Sequence, residues 1–403
     1  MPHGTVERSW WRPVITSLPH RAAPRLVTAR RCAAMVSVTV LTILLVGCTG
    51  GDRPGPSTAA SESASAVAAR SAPEDRAARS DELLSSTLDA GQPGCSAAAA
   101  VDGEVVWAGA RGLANLEQGT PLTTGTRFDI ASVSKQFTAT AILLLSLDGT
   151  LSLPDPVSRY LPGLPGWADR VTIDQLIHHT SGIPDYLDEF TQAGITYDEP
   201  TTQQDALDAL ATIGELPTAP GTEFDYSNSN YLLLAEIAVT ASGTALPELL
   251  QDRVFGPRGL DMVMQPGLQG PDVATGYWTI NGAPAPLVVR WTQIGDGSIY
   301  TTPIQLVRWA DNYRTGQLGG PELLDAATAD AVQTGTEPGR GRYGAGIDIT
   351  PDGALGHPGQ WAGFVTFMTT SNDRHTTVAA SCNNQDLTDW PTLAGRLQSI
   401  WYD

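Results

Sequence analysis

The chain has 403 residues and a formal net charge of −19, from 43 acidic and 24 basic side chains. Its first 48 residues hold six arginines and one glutamate, so the remainder carries −24, which is −19 minus 5. This negative charge excludes nucleic acid as an expected partner, because phosphate backbones bind basic surfaces.

The N-terminal region has the pattern of a bacterial export signal. Four arginines between positions 21 and 31 precede a largely apolar run over 33–46, which is the length of a signal-peptide core. The run ends in Leu45-Val46-Gly47-Cys48, which resembles a lipobox, in which the cysteine is lipidated. We predict that residues 1–48 are a lipoprotein signal peptide lipidated at Cys48; a plain secretory signal is the alternative. The protein would then be exported and held on the outer face of the bacterial cytoplasmic membrane by lipid alone.

Residues 49–80 consist mainly of alanine, serine, proline, glycine, arginine and acidic residues, with almost no large apolar side chain. Such a segment cannot bury a core, so we predict a disordered tether. Residues 81–403 show no internal repeat and no second linker. For them we predict one continuous α/β domain.

The predicted elements place strands near both ends of this domain and helices between them. The expected strands cover 96–101, 104–108, 363–370 and 376–382, and the expected helices cover 132–147, 172–178, 230–241 and 391–401. The first two strands form a hairpin around an Asp-Gly turn. This order predicts one sheet built from both termini and a mainly helical insertion.

Lys135 is the only lysine in the chain, and it follows Ser132 by three positions at the start of a predicted helix. That spacing puts the hydroxyl and the amine on one helical face, about one turn apart. A desolvated lysine can lose its proton near neutral pH and act as a base, whereas arginine stays protonated. The pair therefore predicts a nucleophilic serine with a lysine base. The alternatives are chance survival of one lysine, or a helix-capping serine beside a solvated charge.

Four segments in a fixed order carry a family resemblance. They are Phe-Asp-Ile-Ala-Ser-Val-Ser-Lys at 128–135, Leu-Ile-His-His-Thr-Ser-Gly-Ile-Pro at 176–184, Tyr-Ser-Asn at 226–228, and His-Pro-Gly at 357–359. The set resembles the serine β-lactamase and penicillin-binding-protein superfamily. Within it, the closer resemblance is to the branch of class C β-lactamases, D-alanyl-D-alanine carboxypeptidases and esterases. The resemblance implies an α/β fold, in which an antiparallel five-stranded sheet is flanked by helices and carries an inserted, mainly helical region.

The resemblance also implies a role for the residues of the first and third segments. Ser132 is the nucleophile, and Lys135 and Tyr226 take its proton and pass it to the leaving group. Asn228 holds an amide or carbonyl of the acyl group and helps to position Lys135. The structural alternatives are a packing aromatic for Tyr226 and a turn residue for Asn228. The two histidines at 178 and 179 are assigned to the scaffold.

The last motif departs from the Lys-Thr-Gly that many relatives keep. His357 replaces a permanent cation by a side chain that is mostly neutral at pH 7, and Pro358 has no hydroxyl. Gly359 is retained, and the backbone N–H of Gln360 is implied to form the oxyanion hole with that of Ser132. We therefore expect weak recognition of a penicillin carboxylate. A hydrogen-bonded surface histidine is the structural alternative for His357.

We expect an exported serine hydrolase that acts through an acyl-enzyme on an amide or ester, of the D-Ala-D-Ala carboxypeptidase or esterase type. A class C-like β-lactamase is the second interpretation, and a catalytically silent ligand-binding or scaffold protein is the third. The expected partner is a small-molecule or peptide acyl substrate, with membrane contact only through the lipid anchor. This chemistry implies no cofactor and no metal. The oligomeric state is left open.

Two cysteines, Cys95 and Cys382, lie in the predicted domain. Neither makes a metal-ligand spacing with another cysteine or with a histidine. In an exported protein they could pair, or both could be small buried apolar side chains. In the fold that the resemblance implies, the first strand lies beside the last, which favours a disulfide.

Overall fold

The computed structural model describes residues 73–336, 339–387 and 390–402. Its helices are α1 Pro73–Thr87, α2 Lys135–Leu147, α3 Ile173–Ile177, α4 Tyr186–Gln192, α5 Gln203–Ala211, α6 Asn228–Ser242, α7 Leu246–Leu250, α8 Gly256–Arg258, α9 Pro303–Ala310, α10 Asn312–Thr315, α11 Gly320–Thr328 and α12 Trp390–Tyr402. Its strands are β1 Cys95–Val101, β2 Glu104–Arg111, β3 Leu113–Asn115, β4 Thr120–Pro121, β5 Phe128–Asp129, β6 Val263–Met264, β7 Tyr277–Ile280, β8 Ala283–Pro286, β9 Ile299–Thr301, β10 Val332–Gln333, β11 Arg342–Tyr343, β12 Asp348–Ile349, β13 Leu355–Trp361, β14 Phe364–Thr370 and β15 Thr376–Cys382.

Strands from both ends of the domain form one sheet, as predicted. Its order is β10-β11-β12-β13-β14-β15-β1-β2, and every neighbouring pair is antiparallel. The five strands from β13 to β2 have seven or eight residues and match the expected five-stranded sheet. β10, β11 and β12 have two residues each and extend the sheet beside β13. So short a strand has no alternation of apolar and polar residues, and the sequence did not predict these three.

Alanines in β1 allow helices to pack closely on both faces of the sheet. Ala98 and Ala100 belong to the core on one side, which includes residues of α9, and Ala97 and Ala99 belong to the core on the other. The second core includes residues of α1 and α12. Because side chains alternate along a strand, small residues at successive positions bring both helical layers near the sheet backbone.

A disulfide joins the two ends of the domain. In the pairing of β1 with β15, Cys95 lies opposite Cys382, and their Cα atoms are 4.0 Å apart. The bond spans 287 residues of sequence. It therefore fixes β1, the first strand in the chain, to β15, the last. The alternative of two free buried cysteines does not hold in this structure.

The folded region begins before the predicted boundary at residue 81. Helix α1 starts at Pro73, and Arg76 and Ser80 within it are buried. The indole Nε1 of Trp401 in α12 donates a hydrogen bond of 3.0 Å to Ser80 Oγ. Residues 73–80 therefore pack on the domain; the tether prediction was wrong for them, because their contacts depend on α12 rather than on large apolar side chains. The predicted signal peptide with Cys48, and tether residues 49–72, lie outside the described residues.

The helical region is built around α2, which packs against α6, α7 and α11. The predicted helix over 132–147 begins as a 3₁₀ turn, Ala131–Ser134, and continues as α2 from Lys135. Every residue of α2 from Lys135 to Leu145 is buried, so the chain's one lysine lies inside a core helix. In the described ranges no single helix is long and apolar enough to span a membrane, although α6 and the segment Leu246–Arg258 pass together with a bend of 79°.

Candidate active site

The nucleophile candidate lies in a tight turn between β5 and α2. Ala131, just before Ser132, has a φ of 51°, which is in the left-handed region that side chains with a Cβ rarely adopt. The carboxylate of Asp129 accepts a hydrogen bond of 2.8 Å from the N–H of Ala131 and holds this turn. Burial raises the pKa of Asp129 to about 7, although that hydrogen bond lowers it. The chain therefore maintains a strained backbone directly before Ser132.

Strand β13 runs beside this turn, and Gly359 is the point of closest approach. A Cβ at this position would lie 2.5 Å from the carbonyl oxygen of Ile130 and 2.9 Å from the backbone nitrogen of Ser132. Any side chain would push the strand away from the nucleophile, which explains the glycine in the third motif. Gln360 follows at once in the strand. The two backbone segments predicted to supply the oxyanion hole are therefore neighbours in the structure.

Lys135 lies at the centre of the site and is fully buried. Its Nζ donates to three oxygens: Ser132 Oγ at 3.2 Å, Asn228 Oδ1 at 2.7 Å and the backbone carbonyl of Asp296 at 2.9 Å. These partners match the three protons of an ammonium group. Burial lowers the pKa of Lys135 to about 8, while the charges of Asp296 and Asp185 oppose that shift. Lys135 can therefore lose its proton close to physiological pH with Ser132 in hydrogen-bond reach.

Tyr226 lies against both members of this pair. Its ring centroid is 5.0 Å from Lys135 Nζ, and its phenol group interacts with the Ser132 hydroxyl. Desolvation raises the pKa of Tyr226 well above 10, so the phenol is neutral and can donate or relay a proton. The His179 ring stacks on the Tyr226 ring, with centroids 4.3 Å apart and planes inclined by 29°.

His357 is buried beside Tyr226 and carries no charge. Its Nε2 is 3.0 Å from the hydroxyl of Tyr343, and its Nδ1 is directed to the carbonyl of Pro358. A carbonyl only accepts, so Nδ1 carries the proton and Tyr343 donates to Nε2. Burial and the charge of Lys135 lower the pKa of His357 to about 3. The third motif therefore offers a neutral imidazole where relatives with lysine have a cation.

The structure brings together all the catalytic and support residues predicted around Ser132, and it adds four that were missed. Asp185 and Asp296 contact Asn228 and Lys135 respectively, while His179 and Tyr343 pack around Tyr226. His179 lies in the 176–184 segment, and Asp185 comes directly after it. The sequence assigned this segment only to the scaffold. Asp185 could have been found from the sequence, because an aspartate directly before a helix predicts a side chain that caps the helix N-terminus. Asp296, between two glycines, gave no such signal.

The chain is similar to the Beta-lactamase family model, to D-aminopeptidases and to penicillin-binding proteins. A family model described as Beta-lactamase matches residues 70–399. The chain is 36% identical over 168 residues to a D-aminopeptidase of Cereibacter sphaeroides (strain ATCC 17029 / ATH 2.4.9), covering 42% of this chain and 32% of that protein. It is 37% identical over 164 residues to penicillin-binding protein 4* of Bacillus subtilis (strain 168), covering 40% of this chain and 36% of that protein. The chain thus spans about a third of the length of these curated relatives.

Solved structures share the fold. The crystal structure of a D-amino acid amidase from Ochrobactrum anthropi SV3, complexed with L-phenylalanine amide, superposes with a TM-score of 0.67 at 22% identity. The similarity covers 81% of this chain and 98% of the amidase. The family model spans most of the chain and includes the four segments at 128–135, 176–184, 226–228 and 357–359. The chain therefore belongs to the Beta-lactamase family.

Proposed function

We propose that this chain is a serine hydrolase that cleaves an amide or ester bond through an acyl-enzyme. The observation that carries the proposal is the 3.2 Å hydrogen bond from a fully buried Lys135 Nζ to Ser132 Oγ. A lysine whose pKa is lowered to about 8 by burial is poised to accept the serine proton. An arginine or an exposed lysine would not have this property.

The chemistry follows from the positions of the groups. Ser132 Oγ attacks the carbonyl carbon while its proton moves to neutral Lys135, and the oxyanion lies at the backbone N–H groups of Ser132 and Gln360. Tyr226 then relays a proton to the leaving amine or alcohol as its bond to carbon breaks. A water molecule releases the acyl group by the reverse proton route, which restores Ser132.

The substrate class is proposed from the relatives and from His357. The names D-aminopeptidase and D-amino acid amidase point to an amide next to a D-amino acid as the first substrate to test. A neutral His357 offers no fixed charge to a substrate carboxylate, so a class C-like β-lactamase is the weaker proposal. A catalytically silent binding protein would have no use for a depressed lysine pKa beside Ser132.

Intact-mass spectrometry of the full chain after incubation with a fluorophosphonate and with a fluorescent penicillin tests the mechanism. With the fluorophosphonate we expect a single adduct that is absent from Ser132→Ala and retained in Ser134→Ala, a matched serine in the same turn, whereas labelling by the penicillin should be weak. An unlabelled wild-type chain, or an adduct that persists in Ser132→Ala, would overturn the proposal. Comparing turnover of a D-amino acid amide, a D-Ala-D-Ala peptide, a short-chain nitrophenyl ester and a chromogenic cephalosporin then ranks the substrate classes.

We also propose that the protein is exported and lipid-anchored, on the basis of the arginine-rich and apolar segments before Cys48. Labelled fatty acid fed to expressing bacteria should enter the wild-type protein and Cys32→Ser but not Cys48→Ser. Cys32 is a matched control because it lies in the same N-terminal region. Incorporation into Cys48→Ser would contradict the anchor.

A further inference from the structure

Asp185 holds the side of Asn228 that faces away from Lys135. Its Oδ2 accepts hydrogen bonds from the backbone N–H of Asn228 at 3.0 Å and from the side-chain Nδ2 at 2.7 Å. Its Oδ1 accepts from the backbone N–H of Leu187 at 3.0 Å, which makes Asp185 the N-cap of α4. Both carboxylate oxygens are therefore occupied as acceptors.

The partners of Asn228 leave its amide only one orientation. Lys135 Nζ donates to the Asn228 Oδ1 at 2.7 Å, and an ammonium group cannot accept. The Asp185 carboxylate accepts and cannot donate, so it requires the Nδ2 end of the same amide. If the amide turned over, two acceptors would face each other at Asp185, and two donors would face each other at Lys135 while it is an ammonium group. Asp185 thus determines which end of Asn228 meets the lysine.

The same carboxylate acts on the charge of Lys135. The groups that face the lysine are the carboxylates of Asp185 and Asp296, the rings of Tyr226 and Tyr231, and the imidazoles of His179 and His357. Both imidazoles have pKa values lowered by burial and are neutral. The negative charges that oppose the effect of burial therefore come from Asp185 and Asp296.

We propose that Asp185 is a positioning residue for acyl transfer, which orients the Asn228 amide and so holds Lys135 within reach of Ser132 Oγ. This inference rests on the proposed function, since it concerns the proton acceptor of that reaction. Asp185 itself does not touch the reacting atoms; it acts through Asn228 and through its charge. Asp185 also caps α4, and the test must separate this structural role from the positioning role.

Two substitutions make that separation. In Asp185→Ser the hydroxyl can still cap α4, because serine is a good N-cap, but it is too short to reach the Asn228 amide as well. In Asp185→Asn one of the two oxygens becomes an NH₂ group, which would face a donor at either Leu187 or Asn228, so the new amide cannot both cap α4 and accept from Asn228. Asp188→Asn is the matched control, since it removes a negative charge from the first turn of the same helix.

The measurement is the rate of fluorophosphonate acylation of the full chain as a function of pH, with thermal melting to confirm folding. We expect Asp185→Ser and Asp185→Asn to lower the plateau rate by about 10- to 100-fold. Loss of the negative charge should also move the midpoint of the pH profile down, on the order of half a unit to one unit. Asp188→Asn should keep the wild-type plateau and midpoint.

Each outcome decides between the two roles. If Asp185→Ser is acylated at the wild-type rate with the wild-type midpoint, Asp185 only caps α4 and the inference is overturned. A lower plateau with an unmoved midpoint and a strongly lowered melting temperature in both variants would also refute it, because loss of folding reduces the fraction of chain that reacts and leaves the titration of Lys135 unchanged. Absence of acylation in the wild-type chain would instead be the failure of the proposed function.

Discussion

Raising the pH from 7 to 9 is expected to increase the acylation rate of Ser132 about tenfold, with a plateau above pH 9. The reason is that the base must be neutral, and burial lowers the pKa of Lys135 to about 8. About one lysine in eleven is then neutral at pH 7, against about one in 3,000 at the ordinary pKa of 10.5. The difference corresponds to about 3 kcal/mol in favour of the neutral form.

The assay is the second-order rate of fluorophosphonate adduct formation between pH 6 and 10.5, with Ser132→Ala measured in parallel for background. Phenol-based catalysis predicts a different profile, because desolvation raises the pKa of Tyr226 well above 10. A rate that is flat between pH 7 and 9 would refute lysine as the base. A rise that continues through pH 10 would show that the proton acceptor titrates above the pKa that burial gives Lys135, so that either Lys135 keeps its ordinary pKa or the Tyr226 phenol is the base.

Three further changes test separate parts of the molecule. Lys135→Arg should abolish adduct formation, because a guanidinium keeps its proton, and should cost about 1–3 kcal/mol of unfolding free energy from overpacking a fully buried position; wild-type-like labelling would contradict this. Gly359→Ala should lower the acylation rate on the order of 100-fold, since its Cβ would lie 2.9 Å from the backbone nitrogen of Ser132. An unchanged rate would show that β13 can move away from Ser132 without loss of activity. The double variant Cys95→Ser, Cys382→Ser should lose about 2–5 kcal/mol in urea unfolding, from releasing a cross-link across 287 residues; no loss would refute it.

Local pattern was enough to predict Ser132 and Lys135, because three positions in a helix bring two side chains to one face. Adding the other motifs and the resemblance extended the prediction to Tyr226 and Asn228. Asp296 could not be found in this way. It reaches Lys135 through a backbone carbonyl, 161 residues away in sequence, and a backbone contact leaves no residue type to recognise.

The same distinction explains the predictions of the fold. Four of the five long strands and the helix over 172–178 were predicted because they depend on residues close in sequence. In the structure that helix begins with a capping box at Thr172 that has both of its hydrogen bonds. The two-residue strands β10 to β12 and the start of α1 depend on pairing with distant segments. Helix α1 carries few large apolar residues before Leu83, so its first turns are stabilised by α12 rather than by a pattern of their own.

The charges around Lys135 connect the choice of base to the choice of substrate. Asp185 and Asp296 raise the pKa of the lysine, and burial lowers it further than they raise it. At neutral pH part of the population therefore has an uncharged amine beside two acidic groups, with a neutral His357 on the third motif. A substrate carboxylate would meet no cation at His357, and the ionised forms of Asp185 and Asp296 would repel it and offset the charge of the Lys135 ammonium group. A neutral ester or amide, or a substrate with a free amine, suffers neither cost. The arrangement that makes Lys135 a base is thus the physical basis for the proposal that amides and esters are cleaved in preference to β-lactams.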